Sequence, residues 1–152
     1  MKKNELSAEY EPKRKNRFIV SFHPIIFASS GSTMTEEINI PSWYVRSITM
    51  PKYGFFGKIP QLGWDNIEIT FIDAFGHSSS AELFKLTEEG RHLSQLTIDM
   101  LDPTGVMVEK WLIGVETIVS IDFGNLNYDD DEILIPKLVI KPSYCMLKYK
   151  DQ

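Results

Sequence analysis

Leu96-Thr97-Ile98-Asp99-Met100-Leu101-Asp102-Pro103-Thr104-Gly105-Val106-Met107-Val108-Glu109-Lys110-Trp111-Leu112-Ile113 is the stretch whose reading decides the fold. Two runs rich in β-branched and apolar residues flank Asp102-Pro103-Thr104-Gly105. Proline as the first central residue and glycine at the exit suit a type I turn with a following bulge, so the segment predicts a β-hairpin. Downstream, Gly114 predicts a bend, Val115–Phe123 a strand and Asn125–Asp131 an acidic turn. Glu132–Lys141 predicts a further strand, with Pro136 at a bulge or edge, and Ser143–Tyr149 extends it.

Upstream, the same two-residue period recurs. Arg17-Phe18-Ile19-Val20-Ser21-Phe22 sets Phe18, Val20 and Phe22 on one face, and His23-Pro24 closes it. Ala28–Thr35 is rich in Ser, Gly and Thr and reads as a loop; Ser42–Thr49 reads as a second strand region, stopped by Pro51. Asn66–Ile72 sets Ile67, Ile69 and Phe71 against Glu68 and Thr70, the pattern of a strand with one buried and one wet face. After Gly76 the period changes. Ser79-Ser80-Ala81-Glu82 has the spacing of a capping box, and Leu83, Phe84, Leu86 and Thr87 form the stripe of one short helix that Gly90 stops. Seven or so short strands with one short helix and no helical crossovers make the chain mainly β, an antiparallel sandwich or barrel.

The chain has 152 residues, the size of one domain. Residues 1–16 are polar and without apolar period, so they form an N-terminal arm, and residues 17–152 form the single β domain. With 43% hydrophobic and 24% charged residues the chain is too apolar to stay disordered. No secretory leader or membrane span is expected, since no apolar run approaches the ~18 residues that a span needs. The one cysteine, Cys145, suits a buried structural role in a reducing compartment.

Net charge is −5. Residues 1–17 hold six Lys/Arg against three Glu, leaving ten against eighteen acids on the body. An acidic body disfavours nucleic-acid binding that depends on neutralising phosphates. Between Pro51 and Trp64, glycines and prolines interleave with Tyr53, Phe55, Phe56, Ile59 and Leu62, an apolar loop that needs a cover, from its own domain or from a neighbouring subunit.

Signals for chemistry are missing. His23, His77 and His92 share no metal-ligand spacing with one another or with Cys145. Gly54-Phe55-Phe56-Gly57-Lys58 lacks the spacing of a phosphate loop and places phenylalanines where open amides are needed. Asp129-Asp130-Asp131-Glu132 lacks the alternating ligands of a calcium loop and reads as a solvated turn. No nucleophile elbow occurs, and no cofactor and no enzymatic activity are expected.

The order of these signals resembles the tail tube family of T-even-like contractile phages, related to the tubes of pyocins, contractile injection systems and type VI secretion. The features that carry the resemblance are Lys15–Phe22, Ile40-Pro41-Ser42-Trp43, Trp64–Phe71 before a helix, Ile98–Gly105 continuing into Glu109–Gly114, and Ile133–Tyr149. The likeness runs from about Arg14 onward, and the order of the motifs carries it more than any one of them.

The resemblance implies a structural protein of the virion, made in the host cytoplasm, that forms hexameric rings stacked into the inner tube. Sheath, baseplate and tail terminator proteins would be its partners, and genomic DNA would pass through the lumen without specific binding. On that reading Tyr53, Phe55, Phe56, Ile59 and Leu62, with Lys13 and Arg14 of the arm, are candidates for ring-to-ring contacts. Glu68 and Thr70 are candidates for the lumen, beside the plainer reading of solvent-facing strand residues. The helical region Ser79–Leu93 is shorter than relatives commonly carry, which keeps a baseplate initiator or terminator paralogue as the alternative. A tube of a phage-derived injection machine and, further off, a monomeric ligand-binding barrel complete the set.

Overall fold

Strand-forming residues dominate the chain, and they pair into one large sheet. The computed structural model describes residues 12–26, 40–54, 63–88 and 91–149, with residues 24–26 and 91 described by their backbone alone. In chain order the strands are β1 (Phe18–Ile26), β2 (Val45–Ile48), β3 (Tyr53–Gly54), β4 (Gly63–Trp64), β5 (Ile67–Phe71), β6 (Arg91–Leu101), β7 (Met107–Asp122) and β8 (Lys137–Tyr149). The helix α1 (Ser79–Lys85) follows β5, and a single 3₁₀ turn, Ser42–Tyr44, leads into β2. Six strands form an antiparallel sheet in the order β1-β6-β7-β8-β5-β2, and β3 pairs with β4 apart from it.

The sheet curls until its ends approach. Phe22 of β1 and Phe71 of β5 meet inside at 5.9 Å between ring centroids, and the 3₁₀ turn before β2 packs beside β1. β1 and β2 are not hydrogen-bonded to each other, so the barrel is nearly closed and left unzipped along one seam. Register fixes which residues fill it. Phe22, Leu96, Ile113 and Cys145 form one cross-strand row, and Val20, Ile98, Trp111 and Leu147 the next. Ile67, Ile69 and Phe71 of β5 face them fully buried, with Leu138 and Ile140 of β8. Burying each such side chain contributes roughly 1.5–3 kcal/mol.

The hairpin has the geometry its sequence predicts. Asp102 Oδ1 accepts from the Thr104 amide (2.8 Å) and the Val106 amide (3.0 Å), Gly105 takes φ +86°, and the register shifts between Met100 and Leu101. Five local expectations shift. His23-Pro24 does not close β1, which passes a register shift there and runs on to Ile26, and Ser42–Tyr44 forms the 3₁₀ turn where a strand is expected. Ser78, not Ser79, caps α1, its hydroxyl accepting from the Ala81 amide at 3.1 Å. Gly114 does not end a strand: β7 runs unbroken from Met107 to Asp122 and absorbs the bend as a register shift between Gly114 and Val115. The final strand starts at Lys137, since the carbonyl of buried Pro136 is taken by the Phe71 amide (2.9 Å) as the chain enters the sheet.

Candidate inter-subunit surfaces

Lys13 leaves the arm and pairs with Glu109 Oε2, and Glu109 is only 5% exposed. The indole of Trp111 donates to Glu109 Oε1 at 3.2 Å, so both carboxylate oxygens are engaged. The arm's foot is thereby fastened to β7. Arg14 and Lys15 beside it are exposed.

Tyr53 sits at the base of the apolar loop. β3 and β4 close that base by pairing Tyr53 with Trp64 and Gly54 with Gly63. Tyr53 meets Trp64 edge-on at 4.9 Å, and Trp64 meets Trp111 edge-on at 6.5 Å, an aromatic ladder that seats the loop's base on β7. Phe55, Phe56, Ile59 and Leu62 lie outside the described residues.

Glu68 and Thr70 point away from the core, on a face built by β2, β5, β8 and the second half of β7. Thr70 shares a hydrogen bond with Ser47 of β2. Lys137 reaches Glu68 Oε1 at 3.3 Å, and Lys141 reaches Glu116 Oε2 at 3.4 Å. Each lysine on this face therefore has a carboxylate partner. Pairs this exposed add ~0–1 kcal/mol to stability, but they do set the local charge close to neutral.

Two surfaces escape sequence reasoning. On the outside of β1, β6, β7 and β8 the register aligns Ser21, Thr97, Leu112 and Met146, with Ile19 and Tyr144 in the flanking rows. Ile19, Met146 and Tyr144 are all exposed, so these strands carry apolar residues on both faces. The signal was present as runs without clean alternation in β7 and β8, and only register assigns the sides. The second surface is the unzipped seam. Its cavity, ≈ 470 Å³, has an apolar floor of Phe18, Ile48, Met50, Ile98 and Met100 under a basic rim.

At the far end of β7, Leu126 and Tyr128 are fully exposed and Ile133 is largely so, as is Phe75 in the turn before α1. Burial pushes the thiol of Cys145 up to about 11, the pKa of a group that stays protonated near neutrality. Among the described residues no three His, Cys, Asp or Glu converge as metal ligands, and no helix is long and apolar enough to cross a membrane.

No protein-family model matches the chain, and no curated protein sequence does. Solved structures do match in fold. A chain in the sheath–tube complex of PVC, an extracellular contractile injection system in its extended state, superposes with a TM-score of 0.63 at 13% identity, covering 98% of this chain and 99% of that one. A chain in the baseplate of the anti-feeding prophage gives 0.56 at 13% identity, covering 93% and 99%. Hcp1 from Salmonella typhimurium gives 0.55 at 14% identity, covering 88% and 87%. The chain therefore has the tail-tube-like fold found in contractile injection systems, whose components in tube, cap and baseplate are its structural neighbours.

Proposed function

We propose that this chain is the repeating subunit of the inner tube of a contractile phage tail, which assembles with its own copies into stacked hexameric rings. The observation that carries the reading is the incomplete barrel. β1 and β2 end the sheet without pairing to each other, and beyond Gly114 β7 pairs only with β8 among the described residues. Unpaired strand edges beside exposed apolar residues are templates for a neighbour, and a head-to-tail ring removes them from solvent.

The polar face of Glu68 and Thr70 suits the lumen. Its lysines are held by Glu68 and Glu116, so it offers DNA no free cationic stripe, and duplex slides where phosphates find nothing to neutralise them. Tyr53 and the loop it anchors, with Lys13 and Arg14, lie toward the ring-to-ring face. Sheath, baseplate and terminator proteins are the partners outside and at the ends. The role is structural, without catalysis.

A second reading, a ring of the baseplate or cap that assembles once and stops, is favoured by the likeness to chains from baseplate and cap structures. Sedimentation velocity over a concentration series separates the two. Mass that grows without limit supports the tube, one ring-sized species supports the baseplate or cap, and a monomer at every concentration overturns the tube and leaves an adaptor that assembles only on a template, or a monomeric barrel.

A further inference from the structure

We infer that successive copies stack by seating the acidic loop between β7 and β8 of one subunit in the basic seam groove of the next. This contact deepens the tube reading and rests on it. The groove lies between β1, β6 and β2, and its rim is Lys13, Arg14, Lys15 and Arg46, with no acidic residue among the described residues of its lining. Lys13 is engaged by Glu109, but among the described residues no carboxylate pairs with Arg14, Lys15 or Arg46. Three cations thus surround an apolar floor without a carboxylate partner among the described residues.

The matching surface is on the same molecule. Between Asp122 and Lys137 the loop carries Asp129, Asp130, Asp131 and Glu132 beside Leu126, Tyr128 and Ile133, the exposed apolar residues. Turns of the loop's own backbone hold it out: the Asp129 amide donates to Asn127 Oδ1 (3.0 Å) and the Glu132 amide to Asp130 Oδ1 (2.9 Å). The charged side chains of Asp129, Asp131 and Glu132 have no cation of their own chain within reach among the described residues. Apolar tip and acidic flank complement apolar floor and basic rim.

The groove and the loop stay apart within one chain. The groove includes Met100, next to Leu101, which pairs with Met107 at the start of β7, whereas the loop leaves β7 after Asp122. The groove's β2 wall lies nearer to the loop's roots, since Ser47 pairs with Thr70, Thr70 with Lys137 and Lys137 with Asp122, yet none of residues 123–136 lines the groove. The loop thus leaves the groove of its own chain open. It can fill that of another copy, and because donor and acceptor surfaces differ, the contact is heterologous and repeats.

The test uses full-length chains with Cys145→Ala in the background. One chain carries Met50→Cys in the groove and the other Asn125→Cys in the loop; they are mixed, treated with a short bis-maleimide, and imaged in parallel by electron microscopy. The expected result is a heterodimer of groove chain with loop chain. Its yield should fall about tenfold or more when Arg14, Lys15 and Arg46 of the groove chain become Glu, and recover when Asp129, Asp131 and Glu132 of the loop chain also become Lys. Recovery excludes misfolding as the cause of the loss. Filaments without the heterodimer, or a heterodimer indifferent to both reversals, overturn the contact. Filaments without it leave the tube reading standing, whereas the heterodimer without filaments sinks the tube reading and keeps the contact.

Discussion

The ring of Tyr144 lies across Gly114, its partner on the neighbouring strand, so closely that a Cβ at Gly114 would meet Tyr144 Cε1 at 2.1 Å and Cδ1 at 2.5 Å. The contact sits where β7 bends and the register shifts, and the aromatic ring covers backbone that the missing side chain leaves bare. Gly114→Ala should displace Tyr144 and cost about 1–3 kcal/mol in urea denaturation. Tyr144→Ala in the same chain should remove the two nearest contacts, leaving Ser143 Oγ at 2.7 Å, so the double variant should be more stable than the sum of the two single losses implies.

Glu109 and Lys13 are 96 residues apart in sequence and paired in space. Lys13→Met leaves a buried carboxylate without its cation. Breaking a fully buried pair costs about 3–5 kcal/mol, and the half-exposed lysine brings the expected loss down to about 1–2 kcal/mol. Thermal unfolding of Lys13→Met and Glu109→Gln with Lys13→Met should show the double variant recovering most of that loss.

Much of the fold is legible in the sequence because its determinants are local. Asp102, Pro103 and Gly105 specify the hairpin within four residues, and the alternation of Ile67, Ile69 and Phe71 against Glu68 and Thr70 marks a strand by itself. The cap of α1 is displaced by one residue because Ser78, Ser79 and Ser80 are chemically equivalent and only the backbone decides among them; Ser80 instead donates to Asp73 Oδ2 at 2.7 Å. Gly114 reads as a bend between two strands, and nothing near it in sequence says that Tyr144, thirty positions on, lies over it within one continuous β7. The candidate surfaces are less legible still. The groove draws on Lys13, Arg46 and Met100 from three separate segments, and nothing in the order of residues says that they meet.

Cys145 is expected to resist thiol reagents in the folded chain. Its pKa is raised to about 11 by burial, so at about pH 8 little thiolate exists to react. The sign of its effect on stability follows from the same shift. The folded chain keeps a proton that the unfolded chain gives up near pH 9, so this contribution is intact below about pH 9 and is lost as pH rises through about 11. Labelling with a disulfide reagent at about pH 8 with and without denaturant checks it; equal rates would contradict the burial of the thiol.

The charge-paired face can be unpaired deliberately. Glu68→Gln with Glu116→Gln frees Lys137 and Lys141 in every subunit. If this face lines the channel, assembled variant filaments should slow the passage or release of duplex DNA at low salt and lose the effect as salt rises, whereas wild-type filaments should not. Unchanged behaviour, with filaments intact, would place the face elsewhere.

Electron microscopy of the purified chain, concentrated and without partners, tests the central claim most directly. The account predicts hollow filaments or stacks of rings, with a central channel in end-on views. Monomers that persist at every concentration would contradict self-assembly into a tube.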